Sequence, residues 1–224
     1  MKPLFWIYLF LFVLALNLAG AALSTPWLGY CTKPLLIPIV ALYFLSFKEA
    51  GASRHLKMVV LFALLFSWLG DVLLMFVPKN ENFFLAGLAS FLFAHIFYIF
   101  FFHKIKAKEK LTNRIWIVAL VALYYGGLIF LLSPHLGEMK LPVRIYGLVI
   151  SFMCMLALHL FYLTPHKGGW QMAVGALLFV VSDSILAINK FYAPFEMAGL
   201  CIMLTYGMAQ LLIVKGAGEY ISSK

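Results

Sequence analysis

The stretch Ser67-Trp68-Leu69-Gly70-Asp71-Val72-Leu73-Leu74-Met75 places one carboxylate inside a segment that is otherwise apolar enough to cross a membrane. A later stretch, Phe179-Val180-Val181-Ser182-Asp183-Ser184-Ile185-Leu186-Ala187, does the same. These are the only two aspartates of the chain, and all six glutamates fall in predicted connecting segments or at a helix end. An acid inside a bilayer is energetically costly and usually marks a functional site. We therefore expect Asp71 and Asp183 to form the centre of the functional site.

The composition is that of an integral membrane protein. Hydrophobic residues make up 65% of the chain and charged residues 11%, whereas a soluble domain carries about 25% charged residues. The net charge of +9 is explained by loop lysines and arginines that face the cytoplasm and anionic lipid headgroups. No nucleic-acid motif is present, so we expect no nucleic-acid partner. The three cysteines lack metal-ligand spacing and are interpreted as packing residues: Cys31, Cys154 and Cys201.

Eight segments are long and apolar enough to be spanning helices. They cover approximately 3–22, 34–47, 57–77, 83–102, 115–133, 143–163, 170–188 and 195–214. The first segment imitates a signal peptide, but its length of about 20 residues favours an uncleaved helix. The second is short, so we expect it to be extended on either side or partly re-entrant. No loop is long enough for a soluble domain. The sequence thus predicts an all-α, polytopic transmembrane bundle of eight helices, with residues 1–224 as one domain.

The distribution of lysine and arginine predicts the orientation in the cell membrane. Twelve of these residues fall on the side of the two termini and five on the other side, so the positive-inside rule places both termini in the cytoplasm. The third and seventh helices then both run outwards. Asp71 and Asp183 lie at matching depth, about 8–9 Å below the outer ends of these helices.

An internal repeat is indicated by the spacing around the two acids. Ala86-Gly87-Leu88 begins fifteen residues after Asp71, and Ala198-Gly199-Leu200 begins fifteen residues after Asp183. The acids are 112 residues apart, half the chain. We expect two parallel four-helix repeats, residues 1–112 and 113–224, related by an axis along the membrane normal. Coincidence among common residues remains the alternative, because the first two helices of each half show no convincing similarity.

Several other polar residues lie within or at the ends of the apolar segments. Lys33, Asn189 and Lys190 fall on the same side of the membrane as the acids, although both lysines also suit a snorkelling role. For His95, a role in the functional site and a role in hydrogen bonding between helices are equally favoured. His159, Tyr206 and Gln210 suit hydrogen bonding between helices. The candidate binding residues beside the two acids are Lys33, His95, Asn189, Lys190 and Tyr206.

Two carboxylates in one dry pocket can divide proton transfer between them, because one stays protonated as an acid while the other acts as a base on water. This pattern indicates an acid/base hydrolase. The same pair also suits the proton relay or cation site of a membrane transporter, and the residues alone do not separate the two. We expect no metal or cofactor, with a metal held by Asp71, Asp183 and His95 as the alternative.

The chain resembles the YhhN family along essentially its whole length. Gly70-Asp71-Val72-Leu73-Leu74-Met75, followed by Gly87, Phe91 and His95-Ile96-Phe97-Tyr98, is similar to the first signature of that family. Ser182-Asp183-Ser184 through Phe191 is similar to the second, and Lys33-Pro34, Thr205-Tyr206 and Ala209-Gln210 resemble further family segments. The resemblance implies a lysoplasmalogenase, which cleaves the vinyl-ether bond of lysoplasmalogens to a fatty aldehyde and a glycerophospho-base. It implies that Asp71 and Asp183 are the essential aspartates, and that the partners are a lysophospholipid substrate and membrane lipids.

The implied reaction agrees with a carboxylate pair. A vinyl ether is hydrolysed by protonation of its β-carbon, and the resulting oxocarbenium ion is attacked by water, as in glycosidases. Lys33 and Lys190 are then candidates for binding the phosphate. The flanking Ser182 and Ser184 suggest that Asp183 is the better solvated, ionised partner.

Overall fold

The computed structural model describes residues 3–48, 54–163 and 168–223, which form eight α-helices and no β-strand. Each helix is long and apolar enough to cross a membrane, so the chain is a multi-pass membrane protein, as its composition predicts. The helices are α1 (Pro3–Ala22), α2 (Pro26–Leu45), α3 (Arg54–Met75), α4 (Asn82–Lys108), α5 (Ile115–Leu132), α6 (Lys140–His159), α7 (Gly169–Ala187) and α8 (Ala198–Ser222).

Helix α2 begins eight residues earlier than its predicted start at residue 34, so it is extended at its N-terminal side. Pro26 occupies the first helical position, where a missing N–H is tolerated, and two further prolines lie inside the helix. Pro38 has no N–H to donate to the carbonyl of Pro34. The indole of Trp68 on α3 donates to this carbonyl instead, at 2.9 Å. A neighbouring helix thus satisfies the backbone group that the proline leaves free.

Other helix ends differ by a few residues from the predicted ones. Helix α4 continues to Lys108 and α8 to Ser222. These ends were predicted too early, because a count of apolar residues misses helical turns made of polar residues beyond the bilayer. Lysines in the last turn of α4 suit the negative end of its helix dipole. Beyond α7 the chain continues as a π-helical turn, Ile188–Tyr192. The predicted connection between the sixth and seventh helices, residues 164–169, lies mostly outside the described residues. Three of the residues counted for the orientation also lie outside them: Lys2, Lys167 and Lys224.

The helices pack as sequential antiparallel pairs, with α1 along α2, α3 along α4 and α7 along α8. Helix α6 fills the space between α4 and α7, and α5 lies outside it. Only Ile117 and Leu132 of α5 are buried, so most of that helix faces lipid. This arrangement places α3, α4, α7 and α8 around the centre of the bundle.

The α7–α8 pair approaches closely because small residues lie at its crossing. A Cβ at Gly175 would stand 2.8 Å from the carbonyl oxygen of Ala209, and one at Gly168 would stand 2.2 Å from that of Gly216. Membrane helices associate through such small residues because lipid provides no hydrophobic drive between them. The close approach fixes α8, and its polar side chains, against the helix that carries Asp183.

Candidate active site

A cavity of about 290 Å³ lies near the end of the bundle where α3 connects to α4 and α7 connects to α8. Asp71 and Asp183 both line it, and each lies four residues before the last residue of its α-helix. The predicted pair of acids therefore faces one common space at one depth. Four of the five predicted binding residues also line this cavity: Lys33, Asn189, Lys190 and Tyr206.

Asp71 is the more deeply buried of the two acids, at 2% exposure. The hydroxyl of Tyr206 donates to its Oδ2 at 2.7 Å, and the ammonium of Lys33 lies 3.7 Å from its Oδ1. The preceding Gly70 allows this packing, because a Cβ there would stand 2.6 Å from the ring of Phe91. Both oxygens of Asp71 are thus engaged, one of them by a cation.

Asp183 is held through one oxygen only. The hydroxyl of Tyr146 on α6 donates to Oδ2 of Asp183 in a very short hydrogen bond. Nε2 of His95 on α4 lies 2.9 Å from the same hydroxyl and 3.5 Å from Oδ2. Among the described residues no group contacts Oδ1, which stays free on a side chain that is 14% exposed. Asp183 therefore keeps one oxygen available at the cavity.

His95 is fully buried and does not line the cavity. Because the proton of Tyr146 points to Asp183, Nε2 of His95 carries the hydrogen that it shares with the phenol oxygen. Its Nδ1 has no hydrogen-bond partner among the described residues, and its ring packs edge-on to Phe179 at 4.7 Å. His95 therefore contacts Tyr146 and Asp183 from behind and does not face the space of the cavity.

Tyr146 was missed by the sequence reasoning. It lies near the start of α6, in a segment without an acid or a histidine nearby, and no local pattern distinguishes it from a tyrosine at the membrane interface. Its contact with Asp183 spans 37 residues. Only the packing of α6 between α4 and α7 shows the contact.

The two serines beside Asp183 do not solvate it. Ser182 donates to the carbonyl of Ile202 on α8 at 3.1 Å, and Ser184 donates to the carbonyl of Val180 and contacts the hydroxyl of Tyr124. Both hydroxyls are used in holding helices together. The serines therefore do not solvate Asp183, although its side chain is the more exposed of the two acids, at 14% against 3% for Asp71, and its ionised state stays a prediction.

The polar residues at the outer part of the cavity are partly engaged. Lys190 lies 3.4 Å from Glu81 and 5.5 Å from the ring centroid of Phe84. The side-chain oxygen of Asn189 accepts a hydrogen bond from the backbone N–H of Phe195 at 3.1 Å. The exposed Glu81 holds Lys190 only weakly, because such surface pairs contribute little. The ammonium of Lys190 and the amide nitrogen of Asn189 remain accessible to an anion.

A second polar network lies beneath the acids and is structural. Gln210 is fully buried; its oxygen accepts from Tyr98 at 2.7 Å and its nitrogen donates to Ser67 at 3.0 Å. His159 accepts from the backbone N–H of Arg114 at 3.1 Å. Both residues link separate elements, as the sequence predicted for them. No three His, Cys, Asp or Glu side chains of the described chain come together as a metal site.

The YhhN family model matches residues 28–217, a range that contains every residue of the cavity. The chain belongs to the YhhN family. Among YhhN-like relatives, it is 35% identical over 188 residues to lysoplasmalogenase TMEM86B of Sus scrofa, covering 84% of this chain and 74% of the relative. It is 32% identical over 203 residues to lysoplasmalogenase TMEM86A of Homo sapiens, covering 88% and 80%.

A bacterial YhhN-like relative gives a similar result. The lysoplasmalogenase of Mycobacterium bovis is 34% identical over 158 residues, which cover 69% of this chain and 58% of that protein. No solved structure matches the chain significantly. These relatives come from animals and a bacterium, and all are named lysoplasmalogenases.

Proposed function

We propose that this YhhN-family protein is a membrane hydrolase that cleaves the vinyl-ether bond of lysoplasmalogens. The products are a fatty aldehyde and glycerophosphoethanolamine or glycerophosphocholine. The observation that carries the proposal is the shared cavity of Asp71 and Asp183, which lies within membrane-spanning helices. The names of the relatives support the substrate class.

The reaction requires a proton donor and a carboxylate on the same substrate. Protonation of the β-carbon converts the vinyl ether to an oxocarbenium ion. Water then adds to the cationic carbon, and the hemiacetal collapses to the aldehyde and the glycerol hydroxyl. A carboxylate stabilises the cation and takes the proton from water, as in the related chemistry of glycosidases. Two carboxyl groups in one cavity provide both functions.

The contacts of the two acids favour unequal roles. Lys33 lies 3.7 Å from Oδ1 of Asp71 and provides a counter-ion for a negative charge there, so we assign Asp71 to the cation and the attacking water. Oδ2 of Asp183 accepts from the phenol of Tyr146, and Oδ1 has no hydrogen-bond partner among the described residues, so we assign Asp183 as the acid that protonates carbon. Tyr146 then stabilises the carboxylate that forms on Asp183 as the proton leaves.

The position of the cavity also fits an amphiphile. It lies at one end of the bundle, next to the connections that precede α4 and α8. Lys190 and Asn189 line its outer part and are placed to bind a phosphate. Transporter sites usually lie near the bilayer midplane, so this location favours hydrolysis at the membrane surface. By the positive-inside rule we propose that this surface faces away from the cytoplasm.

The test uses purified protein and a lysoplasmalogen, with the aldehyde measured by mass spectrometry. Asp71→Asn and Asp183→Asn should each lower kcat by about 10²- to 10⁴-fold, the usual contribution of general acid–base catalysis. Glu138→Gln, which neutralises an exposed acid outside the cavity, should keep the wild-type rate. Wild-type rates in either aspartate variant would refute the assignment.

Isotope labelling tests the order of bond changes. In D2O the aldehyde should carry one deuterium on the carbon next to its carbonyl, because a solvent-derived proton adds to the β-carbon. Aldehyde without this deuterium, trapped at once by reduction, would contradict carbon protonation. Movement of the intact lipid across proteoliposomes without aldehyde would instead favour a transporter.

A further inference from the structure

A second cavity of about 330 Å³ lies beside the catalytic cavity at the same end of the bundle. It is bounded by the end of α1, the start of α2, the end of α3 and the start of α8. Four residues line both spaces: Lys33, Leu74, Gly199 and Met203. The two cavities are therefore neighbours that share one wall.

The second cavity presents a mainly apolar surface. The amide of Asn17 donates to Thr32 at 2.8 Å, and the hydroxyl of Thr32 donates to the carbonyl of Leu28 at 2.5 Å. The hydroxyl of Thr25 donates to the carbonyl of Leu23 at 3.2 Å. Glycine, alanine, proline, leucine and methionine form most of the remaining wall. Lys33 and Tyr30 are the other polar residues of the wall, and the ammonium of Lys33 lies against Asp71. Because most of the wall is apolar, the space suits a hydrocarbon chain.

We propose that this second cavity binds the hydrocarbon chain of the lysolipid, an inference that rests on the proposed function. The vinyl ether joins the chain to the glycerol, so a substrate held between Asp71 and Asp183 sends its chain one way and its headgroup the other. Lys190 and Asn189 mark the polar side of the catalytic cavity. The other side leads past the shared wall into the second cavity, which determines the chain length that the enzyme accepts.

Gly29 provides a way to fill this cavity without disturbing the protein. It lies in the wall, within α2, and a Cβ at this position meets no heavy atom within 4 Å. A phenylalanine at residue 29 therefore has room to enter the space that the chain would occupy. Gly126 on α5 is the matched control, because its Cβ also meets nothing within 4 Å and it lines neither cavity.

The experiment compares two lysoplasmalogens, one with an octenyl and one with an octadecenyl chain. Gly29→Phe should lower the ratio of kcat/KM for the long chain over the short one by about tenfold or more, as expected for a misfit in an apolar pocket. Gly126→Phe should leave the ratio at its wild-type value. An unchanged ratio in Gly29→Phe, or a change in headgroup selectivity in its place, would overturn the inference.

A binding measurement separates this inference from the proposed function. A saturated alkyl-ether lysophospholipid cannot undergo carbon protonation, but it should raise the unfolding temperature of the purified wild type. Gly29→Phe should lose this stabilisation for the octadecyl analogue more than for the octyl analogue. If the wild type released no aldehyde yet showed this difference, hydrolysis would be wrong and the chain site would stand. Equal stabilisation of both proteins by both analogues would refute the chain site.

Discussion

Tyr146→Phe is the most informative single substitution, because it removes one oxygen atom and no packing volume. The lost hydroxyl donates to Oδ2 of Asp183 and lies 2.9 Å from Nε2 of His95. Tyr146 does not line the catalytic cavity, so it touches the acid and not the substrate. It is a positioning residue, and its removal should change the chemical step more than binding.

The size of the effect follows from the hydrogen bond that is lost. As Asp183 gives up its proton, the phenol donates to a developing carboxylate, and a hydrogen bond to a charged group contributes about 1.5–3 kcal/mol. This corresponds to a kcat that is roughly 10- to 150-fold lower, with KM within about twofold of the wild type. Nε2 of His95 would keep only its 3.5 Å contact with Oδ2 of Asp183, and the loss of its hydrogen bond should cost about 1–3 kcal/mol of stability.

The assay measures aldehyde release over a range of substrate concentrations, together with thermal unfolding of the same preparations. Tyr125→Phe is the matched control: its hydroxyl donates to the carbonyl of Arg144 at 3.2 Å, at the contact between α5 and α6 and away from the cavity. It should keep the wild-type kcat. A folded Tyr146→Phe enzyme with unchanged kcat would refute the role of Tyr146 and weaken the assignment of Asp183 as the acid.

Three further outcomes are expected. Lys33→Met leaves Asp71 without its neighbouring cation, so the purified protein should be less stable by about 2–3 kcal/mol, a cost moderated by the 20% exposure of Lys33. Lys33→Arg should recover part of the lost stability. Gly168 has φ +71, and a Cβ there would stand 2.2 Å from the carbonyl oxygen of Gly216 on α8. Gly168→Ala should therefore lower the unfolding temperature, whereas Gly126→Ala should not. Asn80→Cys in a cysteine-free background should react with an impermeant maleimide added to intact cells; labelling only after permeabilisation would reverse the orientation.

The part of the fold that the sequence predicts well is the part that the bilayer dictates. Eight apolar segments of spanning length predict eight helices, and two acids within them indicate the site, because lipid makes both signals strong. Helix ends were less accurate where polar turns extend beyond the apolar core, as at Lys108 and Ser222. An extension of the second segment was expected, but the exact start of α2 was not, because prolines usually end helices and the compensating hydrogen bond from Trp68 is a tertiary contact.

The sequence predicted most of the residues that line the site, but not the contacts between them. Lys33 was a candidate for binding the phosphate; it lines the cavity and lies 3.7 Å from Asp71, and its role in phosphate binding stays a prediction. Tyr146 contacts its acid across 37 residues and carries no local signal. Sequence spacing shows which residues share a helix face, whereas the partner of each acid depends on how helices from different parts of the chain cross.

The predicted duplication of the chain remains a prediction, and one contact supports it. Tyr98 and Gln210 are 112 residues apart, the same offset as the two acids, and they hydrogen-bond to each other at 2.7 Å. In a two-fold arrangement, a residue that contacts its own equivalent lies on the axis. Tyr206 on α8 donates to Asp71, and His95 on α4 lies near Asp183. The last helix of each half therefore approaches the acid of the other half.

Such an axis explains two acids at one depth, but vinyl-ether hydrolysis needs two acids that behave differently. The difference between them lies on α2 and α6. With an offset of 112, the position equivalent to Lys33 is Ile145, and the position equivalent to Tyr146 is Pro34. Within the described residues, Lys33 lies beside Asp71 alone, and the phenol of Tyr146 on α6 contacts Asp183 alone. Placing both groups symmetrically would make the acids equivalent, so the proposed division between proton donor and carboxylate requires that α2 and α6 differ at these positions.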